Sequence, residues 1–378
     1  MTKEYTSLGL MSGTSGDGVD ASIIRSDGET KYKVILDKYF KYNQDVYKNI
    51  HNLKDKINNS KDLKNLSKEL ESLEKEITLF HAKVIKEIIN GSEIEGFNID
   101  LVGFHGQTVF HNAKEKISRQ LGDGKLLSQL TKKTVIYDFR QNDLKNNGQG
   151  APLTPIFHQQ MVIQNKIDLP VCVLNLGGIA NITAVLSHEH ETMRSYDIGP
   201  GNCLIDKWIR ENSKKQYDQD GLIAQSGKKN ETIFRQLIEK SPQVKDETRF
   251  SLDINDFDIS FVRSLSLEDG AATLVEFTVR LLSSALLVIL GGTRDKLWKI
   301  VVCGGGRKNK FLMKRLSENI FKNIVIQSID DYGIDGDFVE SQAFAYLAVR
   351  SYLKLPISFP NTTGCLNSCT GGAIVEAK

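Results

Sequence analysis

The chain has little cysteine, proline and tryptophan. Its 378 residues include five cysteines, seven prolines and two tryptophans. The odd cysteine number, without histidines at metal-binding spacing, argues against a disulfide-stapled domain or a zinc site. Cys365 and Cys369 are the one close pair, and a turn of small residues is favoured there over a zinc or redox site.

A secretion signal and a membrane-spanning run are not evident either. The first residues lack the charged and apolar regions of a signal peptide. The most apolar helical stretch, 281–290, is interrupted by Ser283 and Ser284 and is too short to span a bilayer. With the sparse cysteines, this predicts a cytoplasmic protein without a membrane partner.

An excess of charge of one sign is also missing. Lysine and arginine total 49 and aspartate and glutamate 47, so no nucleic-acid partner is expected. Neither G-x-x-x-x-G-K-[ST] nor a strand-linked G-x-G-x-x-G with a later acid occurs, which excludes a P-loop nucleotidase and disfavours a dinucleotide dehydrogenase. The 40% hydrophobic content is ordinary, and the length suits two domains with separate cores.

The segment 171–206 predicts a β-hairpin followed by a fixed carboxylate. Gly177 and Gly178 supply the hairpin turn, and Asp197 stands beside the turn that begins at Gly199. Glycines let backbone N–H groups approach a phosphate closely. A phosphate-cradling hairpin beside one carboxylate indicates phosphoryl transfer, whereas two ordinary turns are the alternative for either piece alone.

The same plan occurs at 6–26, where apolar strands flank a turn rich in Gly, Ser, Thr and Asp. A third glycine turn, 304–306, follows the apolar strand 299–303. Duplicated α/β domains would place the two hairpin turns face to face across one cleft, where the three turns would converge on a nucleotide.

Two further segments carry predictions about packing and polar side chains. Apolar residues from Leu63 to Val84 follow a 3-4 spacing, which predicts one amphipathic helix that packs on its own domain, with a dimer interface as the alternative. The segment 99–111 predicts a short strand that runs into a polar turn containing His105, Gln107 and Thr108.

Eight motifs, taken in order over residues 9–364, resemble those of the anhydro-N-acetylmuramic acid kinase family. They are GLMSGTSGDGVDASI, GFHGQTVFH, DFRQNDLKNNGQGAPLTPIFH, LNLGGIANIT, YDIGPGNCLID, VCGGGRKNKFLM, DGDFVESQAFAYLA and FPNTTG. The resemblance implies an α/β fold of duplicated actin-like ATPase (ribonuclease-H-like) domains with an ATP cleft between them. The implied domains are 1–168 with 345–378, and 169–344.

The resemblance also implies an activity. The family uses water to open the 1,6-anhydro ring of 1,6-anhydro-N-acetylmuramic acid and phosphorylates O6 from ATP. The products are N-acetylmuramic acid 6-phosphate and ADP, in peptidoglycan recycling. The implied cofactors are ATP and Mg²⁺, and the implied partner is this small-molecule sugar. A kinase of an unbridged sugar or polyol and a non-catalytic nucleotide-switched module stay open as alternatives.

Site residues follow from the resemblance by position. Asp197 matches the general base that activates water, and Asp17 and Asp20 are expected near Mg²⁺, through water. The implied ATP-binding residues are Gly13, Thr14, Ser15, Gly16, Asp17, Gly18, Val19, Asp20, Gly177, Gly178, Asn181, Gly199, Gly304, Gly305 and Gly306. The implied substrate-binding residues are His105, Gln107, Thr108, Arg140, Asp143 and Glu340.

Alternatives stay open for the role of Arg140 and for the segment 245–255. Arg140 is a candidate partner for the lactyl carboxylate or a phosphate, since its planar fork suits both, and a structural pair with Asp138 or Asp143 is the alternative. The segment 245–255 follows the family pattern only in part, with Arg249 matching well, which leaves substrate closure there open.

Overall fold

Two compact units make up the chain in the computed structural model. The structure describes residues 3–91, 98–241, 259–290, 297–320 and 322–377, together with residues 96, 252 and 257. Unit 1 comprises Met1–Ile167, Ser187–Arg194 and Phe338–Lys378, and unit 2 comprises Asp168–Leu186 and Ser195–Asp337. The domain boundaries drawn from the sequence stay a prediction. Arg249 and most of 245–255 lie outside the described residues.

Unit 1 contains a mixed sheet in the order β3-β2-β1-β4-β6-β12, with β5 attached to β4. β1 to β3 form an antiparallel meander, β4 and β6 continue the sheet in parallel with β1, and β12 pairs antiparallel with β6. The strands are β1 (Tyr5–Ser12), β2 (Gly18–Ser26), β3 (Tyr32–Lys41), β4 (Leu101–Asn112), β5 (Ile117–Leu121), β6 (Thr134–Tyr137) and β12 (Ala373–Val375).

The helices of unit 1 cover its sheet. They are α1 (Gln44–Lys56), α2 (Asp62–Asn65), α3 (Ser67–Ile89), α4 (Gly124–Thr131), α5 (Gln141–Lys145), α6 (Pro155–Gln164), α12 (Val339–Tyr352) and α13 (Pro360–Thr363). The predicted single amphipathic helix is wrong in one respect, because the chain leaves helical geometry at Leu66 and forms α2 and α3 separately. The apolar seam of α3 packs in the core of its own unit, which confirms the favoured interpretation.

Unit 2 contains a five-stranded sheet in the order β9-β8-β7-β10-β11. β7 and β8 form the predicted antiparallel hairpin, and β10 and β11 continue in parallel with β7. The strands are β7 (Val171–Leu176), β8 (Ile179–Val185), β9 (Arg194–Pro200), β10 (Trp298–Cys303) and β11 (Ile324–Ser328), and the helices are α7 (Cys203–Asn212), α8 (Leu222–Ser226), α9 (Glu231–Lys240), α10 (Leu267–Ile289) and α11 (Lys310–Glu318).

The two sheets share one arrangement. In each, an antiparallel hairpin is flanked on one side by the next strand along the chain and on the other by two parallel strands. The parallel strands β4 and β10 are each reached through intervening helices, as a parallel connection requires. This repetition confirms the predicted duplicated α/β class.

Most of the apolar stretch 281–290 belongs to a longer helix of unit 2. α10 covers 23 residues, because small residues such as Ala271 and Ala272 continue its buried face toward the N-terminus, so the expectation that the apolar segment is too short to span a bilayer is wrong. By length and composition it is the one described helix that could cross a membrane. Leu274, Leu282 and Leu286 are fully buried in the core of unit 2, which accounts for its apolar character.

A pair of substitutions on α3 tests the assignment of its buried face. Ile77 is fully buried, whereas Leu79 is 46% exposed. Ile77→Ala should lower the free energy of unfolding by about 2–5 kcal/mol, through lost apolar burial and the cavity left behind. Leu79→Ala should change it by no more than about 0.5 kcal/mol. Urea unfolding followed by circular dichroism measures both, and equal losses would contradict this packing.

Candidate functional site

The glycine turn between β1 and β2 is held from behind through its carbonyl oxygens. Gln107 Nε2 donates to the carbonyl of Gly13 at 2.9 Å, and Lys54 Nζ donates to that of Thr14 at 3.0 Å. His51 Nε2 lies 3.0 Å from the carbonyl of Ser15 and donates to it. Carbonyls fixed on one side direct the amide edges of a turn to the other side, which is the geometry of an anion-binding nest.

A buried chain of hydroxyl and imidazole groups supports the end of β1. His81 Nδ1 donates to the carbonyl of Ile77 at 2.8 Å, and burial lowers the pKa of His81 to about 4. The neutral ring therefore accepts at Nε2 from Ser12 Oγ at 3.4 Å, and the Tyr42 hydroxyl lies 2.8 Å from Ser12 Oγ. No sequence pattern predicts a role for the residues that support β1 and its turn. They reach this region from helices or loops distant along the chain, and they are Tyr42, His51, Lys54 and His81.

Two carboxylates stand at the same turn. Asp17 is exposed and accepts from Ser15 Oγ at 2.5 Å, and Asp20 is half-buried in β2. The pKa of Tyr39 is raised by burial first and then by the charges of Asp17 and Asp20, so both carboxylates lie close to its hydroxyl. Carboxylate oxygens beside a glycine turn of this kind are suitable for holding Mg²⁺ through water. The residues present therefore fit the metal.

The remaining residues predicted for this turn include Gly16, Gly18 and Val19, and their surroundings differ. Gly16 has a φ of +62° and its N–H donates to Gly13 at 3.1 Å, which closes the turn. Gly18 pairs with Lys41 in the sheet. The side chain of Val19 is fully buried in the core, so its backbone is the part that can face a ligand.

The predicted polar turn after β4 is wrong. His105, Gln107 and Thr108 lie within β4, which runs to Asn112 because its second half pairs with β5. The register with β1 shifts before Gln107, so these polar side chains are placed by an irregular strand. Gln107 Oε1 is buried and has no hydrogen-bond partner in the described part of the chain. Thr108 Oγ1 accepts from Gln120 Nε2 at 3.2 Å.

The half-buried Arg140 and the buried His105 form a hydrogen-bonded pair in unit 1. Arg140 Nη2 donates to His105 Nε2 at 2.9 Å, and His105 Nδ1 donates to the carbonyl of Gly106 at 2.7 Å. Burial, followed by the Arg140 charge, holds the pKa of His105 well below its ordinary value, so the imidazole is neutral. Arg140 Nη1 also donates to the carbonyl of Gly150 at 2.8 Å, which fixes the guanidinium on two acceptors.

Asp143 ties the loop 146–150 to the C-terminal segment. Its Oδ2 accepts from the N–H of Gly150 at 2.7 Å, and its Oδ1 accepts from Thr363 Oγ1 at 2.6 Å. The carboxylate is fully buried, and both oxygens are engaged within unit 1. Asp143 therefore acts on this site by holding Gly150, whose carbonyl receives Arg140. Glu340, the remaining predicted residue, lies half-buried in the first turn of α12.

In unit 2, the hairpin turn Gly177-Gly178 is also held through its carbonyls. The carbonyl of Gly177 accepts from the N–H of Asn202 at 2.9 Å, and that of Gly178 accepts from Gly201 at 2.9 Å and Cys203 at 3.2 Å. A Cβ on Gly201 would lie 2.1 Å from the carbonyl oxygen of Gly177, so no other residue fits there. The motif that carries Asp197 and Gly199 thus packs directly behind the turn.

The glycine turn 304–306 adjoins the same hairpin. A Cβ on Gly304 would lie 2.4 Å from Asn175 Oδ1, and one on Gly306 would lie 2.7 Å from Cβ of Leu176. Two of the three predicted glycine turns therefore meet within unit 2. Asn181 Oδ1, on β8 opposite Asn175, is buried and lacks a hydrogen-bond partner among the described residues.

Arg307 holds this third turn in place. Its Nη1 donates to the carbonyl of Gly304 at 3.1 Å, and its side chain is paired with Asp330, Asp335 and Asp337. Arg307 is not among the site residues predicted from the sequence, although it directly follows Gly304–Gly306.

Asp197 lies on β9, half-buried, close to the described residue Leu252. Its Oδ2 accepts from the N–H of Leu252 at 2.9 Å. Gly199 follows with a φ of +149°, a conformation that glycine adopts without strain. One carboxylate is thus held in a fixed direction at the end of a strand, next to a glycine turn.

Neutral buried histidines in unit 1 predict a pH dependence of stability. Burial lowers the pKa of His81 and His111 to about 4 and that of His158 to about 3. Below pH 6.5 the unfolded chain binds protons that the folded chain does not, so stability falls as the pH drops toward 4. Each histidine contributes up to about 1.4 kcal/mol per pH unit.

Urea unfolding at pH 7 and pH 5 measures this slope. His158→Leu should reduce the slope by the contribution of about one proton. A stability that is the same at both pH values would contradict the neutral state of these side chains.

The chain is similar to known proteins over almost its whole length. A family model described as anhydro-N-acetylmuramic acid kinase matches residues 5–377. The anhydro-N-acetylmuramic acid kinase of Pelagibacter ubique is 55% identical over 376 residues and covers 100% of both chains. That of Zymomonas mobilis is 36% identical over 372 residues, covering 97% of this chain and 98% of the relative.

One similar solved structure is component A of (R)-2-hydroxyglutaryl-CoA dehydratase from Acidaminococcus fermentans. It aligns with a TM-score of 0.41 and 11% sequence identity, and the alignment covers 93% of this chain and 100% of that chain. The family match spans residues 5–377 and so includes every glycine turn described above, and the two relatives align over almost the whole chain. The chain belongs to the anhydro-N-acetylmuramic acid kinase family.

Proposed function

We propose that this chain is an ATP-dependent kinase that opens the 1,6-anhydro ring of 1,6-anhydro-N-acetylmuramic acid and phosphorylates O6. The observation that carries the proposal is the family match over residues 5–377, which includes the Asp197 motif as well as the nucleotide-binding turns. The products are N-acetylmuramic acid 6-phosphate and ADP, and the reaction belongs to peptidoglycan recycling. A cytoplasmic location is part of the proposal, since all five cysteines are thiols.

The glycine turns are assigned to the nucleotide. In unit 1, the turn 13–20 contacts the phosphates of ATP through backbone N–H groups other than that of Gly16, which closes the turn. The assignment is supported by the carbonyls fixed on Gln107, Lys54 and His51. In unit 2, Gly177, Gly178 and the turn 304–306 contact the phosphates and the adenosine, with Asn181 and Gly199 beside them. Asp17 and Asp20 would hold Mg²⁺, which neutralises phosphate charge when bound.

Asp197 is assigned as the general base. Its carboxylate takes one proton from a water whose oxygen bonds to C1 of the sugar. The C1–O6 bond breaks, O6 bonds to the γ-phosphorus, and ADP leaves with the electron pair of the broken P–O bond. A carboxylate is competent for this step once it lies within hydrogen-bond reach of the water. The half-buried position of Asp197 and its bond from Leu252 support a fixed orientation.

The sugar is assigned to side chains of unit 1. Arg140, anchored by His105 and Gly150, offers a planar cation for the lactyl carboxylate or a phosphate. Gln107 Oε1 is a buried acceptor suited to a ligand hydroxyl or a metal-bound water. Thr108 and Glu340 complete the set, and Asp143 positions the loop that meets Arg140.

Asp197→Asn tests the assigned base. In ¹⁸O-labelled water with ATP, Mg²⁺ and the anhydro-sugar, the unmodified enzyme should give a phosphorylated sugar labelled at C1. The variant should lose roughly 100- to 10,000-fold in kcat, because the amide cannot accept the proton. Asp168→Asn, an exposed carboxylate of the same unit, should retain full activity.

Two results would contradict this assignment. Unlabelled product or undiminished turnover by Asp197→Asn would remove Asp197 from the role of base. Turnover of an unbridged hexose without turnover of the anhydro-sugar would favour the alternative kinase of an unbridged sugar.

Lys54→Met tests how the first turn is held. Loss of the ammonium group that binds the carbonyl of Thr14 should raise the KM for ATP roughly tenfold, while the KM for the sugar stays the same. Lys56→Met is the matched control, because Lys56 lies on the same helix and pairs with Glu69 in solvent. Steady-state kinetics with each substrate varied in turn measure both effects. Equal changes in the two variants would show that the turn does not depend on Lys54.

A further inference from the structure

Two thiols and a carboxylate meet in the C-terminal segment of unit 1. The Sγ atoms of Cys365 and Cys369 and a carboxylate oxygen of Asp143 all lie within 4.8 Å of one another. Cys365 is buried, Cys369 is half-buried, and neither is in a disulfide. This cluster is separate from the assigned base and from the nucleotide turns, and the reaction proposed above does not use either sulfur.

The backbone holds the two thiols differently. Cys369 is fixed by a β-bridge, in which its N–H donates to Ser358 at 3.0 Å and its carbonyl accepts from Ile357 at 2.9 Å. Cys365 is separated from it by three exposed residues, 366–368. A bond between the sulfurs therefore needs adjustment in a short solvent-exposed bend, which is the part of the segment best able to move.

A bound metal suits the cluster less well than a bond between the sulfurs. Both carboxylate oxygens of Asp143 already accept hydrogen bonds, from the N–H of Gly150 and from Thr363 Oγ1. That leaves two sulfur donors, whereas a structural zinc ion takes four ligands. A half-buried thiol beside a buried second thiol is the arrangement of a redox-sensitive pair.

We propose that Cys365 and Cys369 form a reversible disulfide when the protein meets a hydroperoxide. The Cys369 thiolate attacks the terminal peroxide oxygen, the O–O bond breaks, and the alkoxide or hydroxide that leaves takes up a proton. The Cys365 sulfur then attacks the sulfenic acid sulfur, and the hydroxyl leaves as water with the Cys365 proton. The two thiols lose two electrons, which reduce the peroxide, and a dithiol reverses the reaction.

The electrostatics agree with these roles. Interaction with Cys365 lowers the pKa of the Cys369 thiol, which favours its thiolate form. The same interaction, together with burial, raises the pKa of Cys365, which keeps its proton until the second step.

A consequence for the sugar site rests on the proposed function. The N–H of Leu366 donates to the carbonyl of Asn146 at 3.0 Å, and the N–H of Gln149 donates to that of Thr363 at 2.9 Å. The bend between the cysteines is thus bonded to the loop whose Gly150 receives Arg140. Closing the disulfide displaces this loop and should raise the KM for the sugar roughly tenfold or more.

The test treats the full-length protein with hydrogen peroxide and then maps its peptides without reduction. The expected result is a loss of two hydrogen atoms and a disulfide cross-link from Cys365 to Cys369, reversed by dithiothreitol. Cys365→Ser and Cys369→Ser should each abolish the cross-link, while Cys172→Val, a buried thiol of unit 2, should leave it intact. In parallel, the KM for the sugar should rise in the oxidised enzyme and stay unchanged in peroxide-treated Cys369→Ser.

The peptide map decides the proposal independently of kinase activity. A cross-link in a protein that does not phosphorylate the sugar would support the disulfide and contradict the proposed function. Higher oxides on Cys369 without a cross-link, or no reaction, would overturn the disulfide. One zinc ion bound per chain, lost in both serine variants and protecting the thiols from peroxide, would also overturn it.

Discussion

The hydrogen bonds that fix the carbonyl oxygens of the glycine turns are the constraint on which the site depends. A turn of small residues has many conformations, and each ordered residue costs about 1–2 kcal/mol of backbone entropy. Gln107, Lys54 and His51 fix the turn of unit 1, and Asn202 with its neighbours fixes that of unit 2. The amide edges are then already ordered, so the phosphate binding proposed for them would not have to order them.

This hydrogen-bonded support of a glycine turn occurs twice because the fold is duplicated. In both units the glycine turn joins the two strands of an antiparallel hairpin whose first strand lies beside a parallel strand. In unit 2 the end of that parallel strand, β10, adds Gly304–Gly306, and Arg307 anchors it with three aspartates. Asp197 belongs to the segment that packs behind the unit 2 hairpin. The proposed base and the turn therefore share one rigid support.

Features coded locally could be predicted from the sequence, and those made by distant contacts could not. The hairpin 171–185 and the α/β class follow from apolar strands and glycine turns, and α3 follows from its apolar spacing. The length of β4 depends on pairing with β5, which no local pattern in 99–111 indicates. Lys54 and His81 lie in amphipathic helices, where a charged or polar residue is ordinary. Their contacts with the first turn arise only when the chain folds.

The position of the reacting water is the central claim, and a crystal structure tests it most directly. The complex would contain a nonhydrolysable ATP analogue, Mg²⁺ and 1,6-anhydro-N-acetylmuramic acid. The account predicts one ordered water within hydrogen-bond distance of an Asp197 carboxylate oxygen and about 3–3.5 Å from C1, opposite the C1–O6 bond. An Asp197 carboxylate turned away from the sugar, with C1 approached by no water or by a different base, would contradict it.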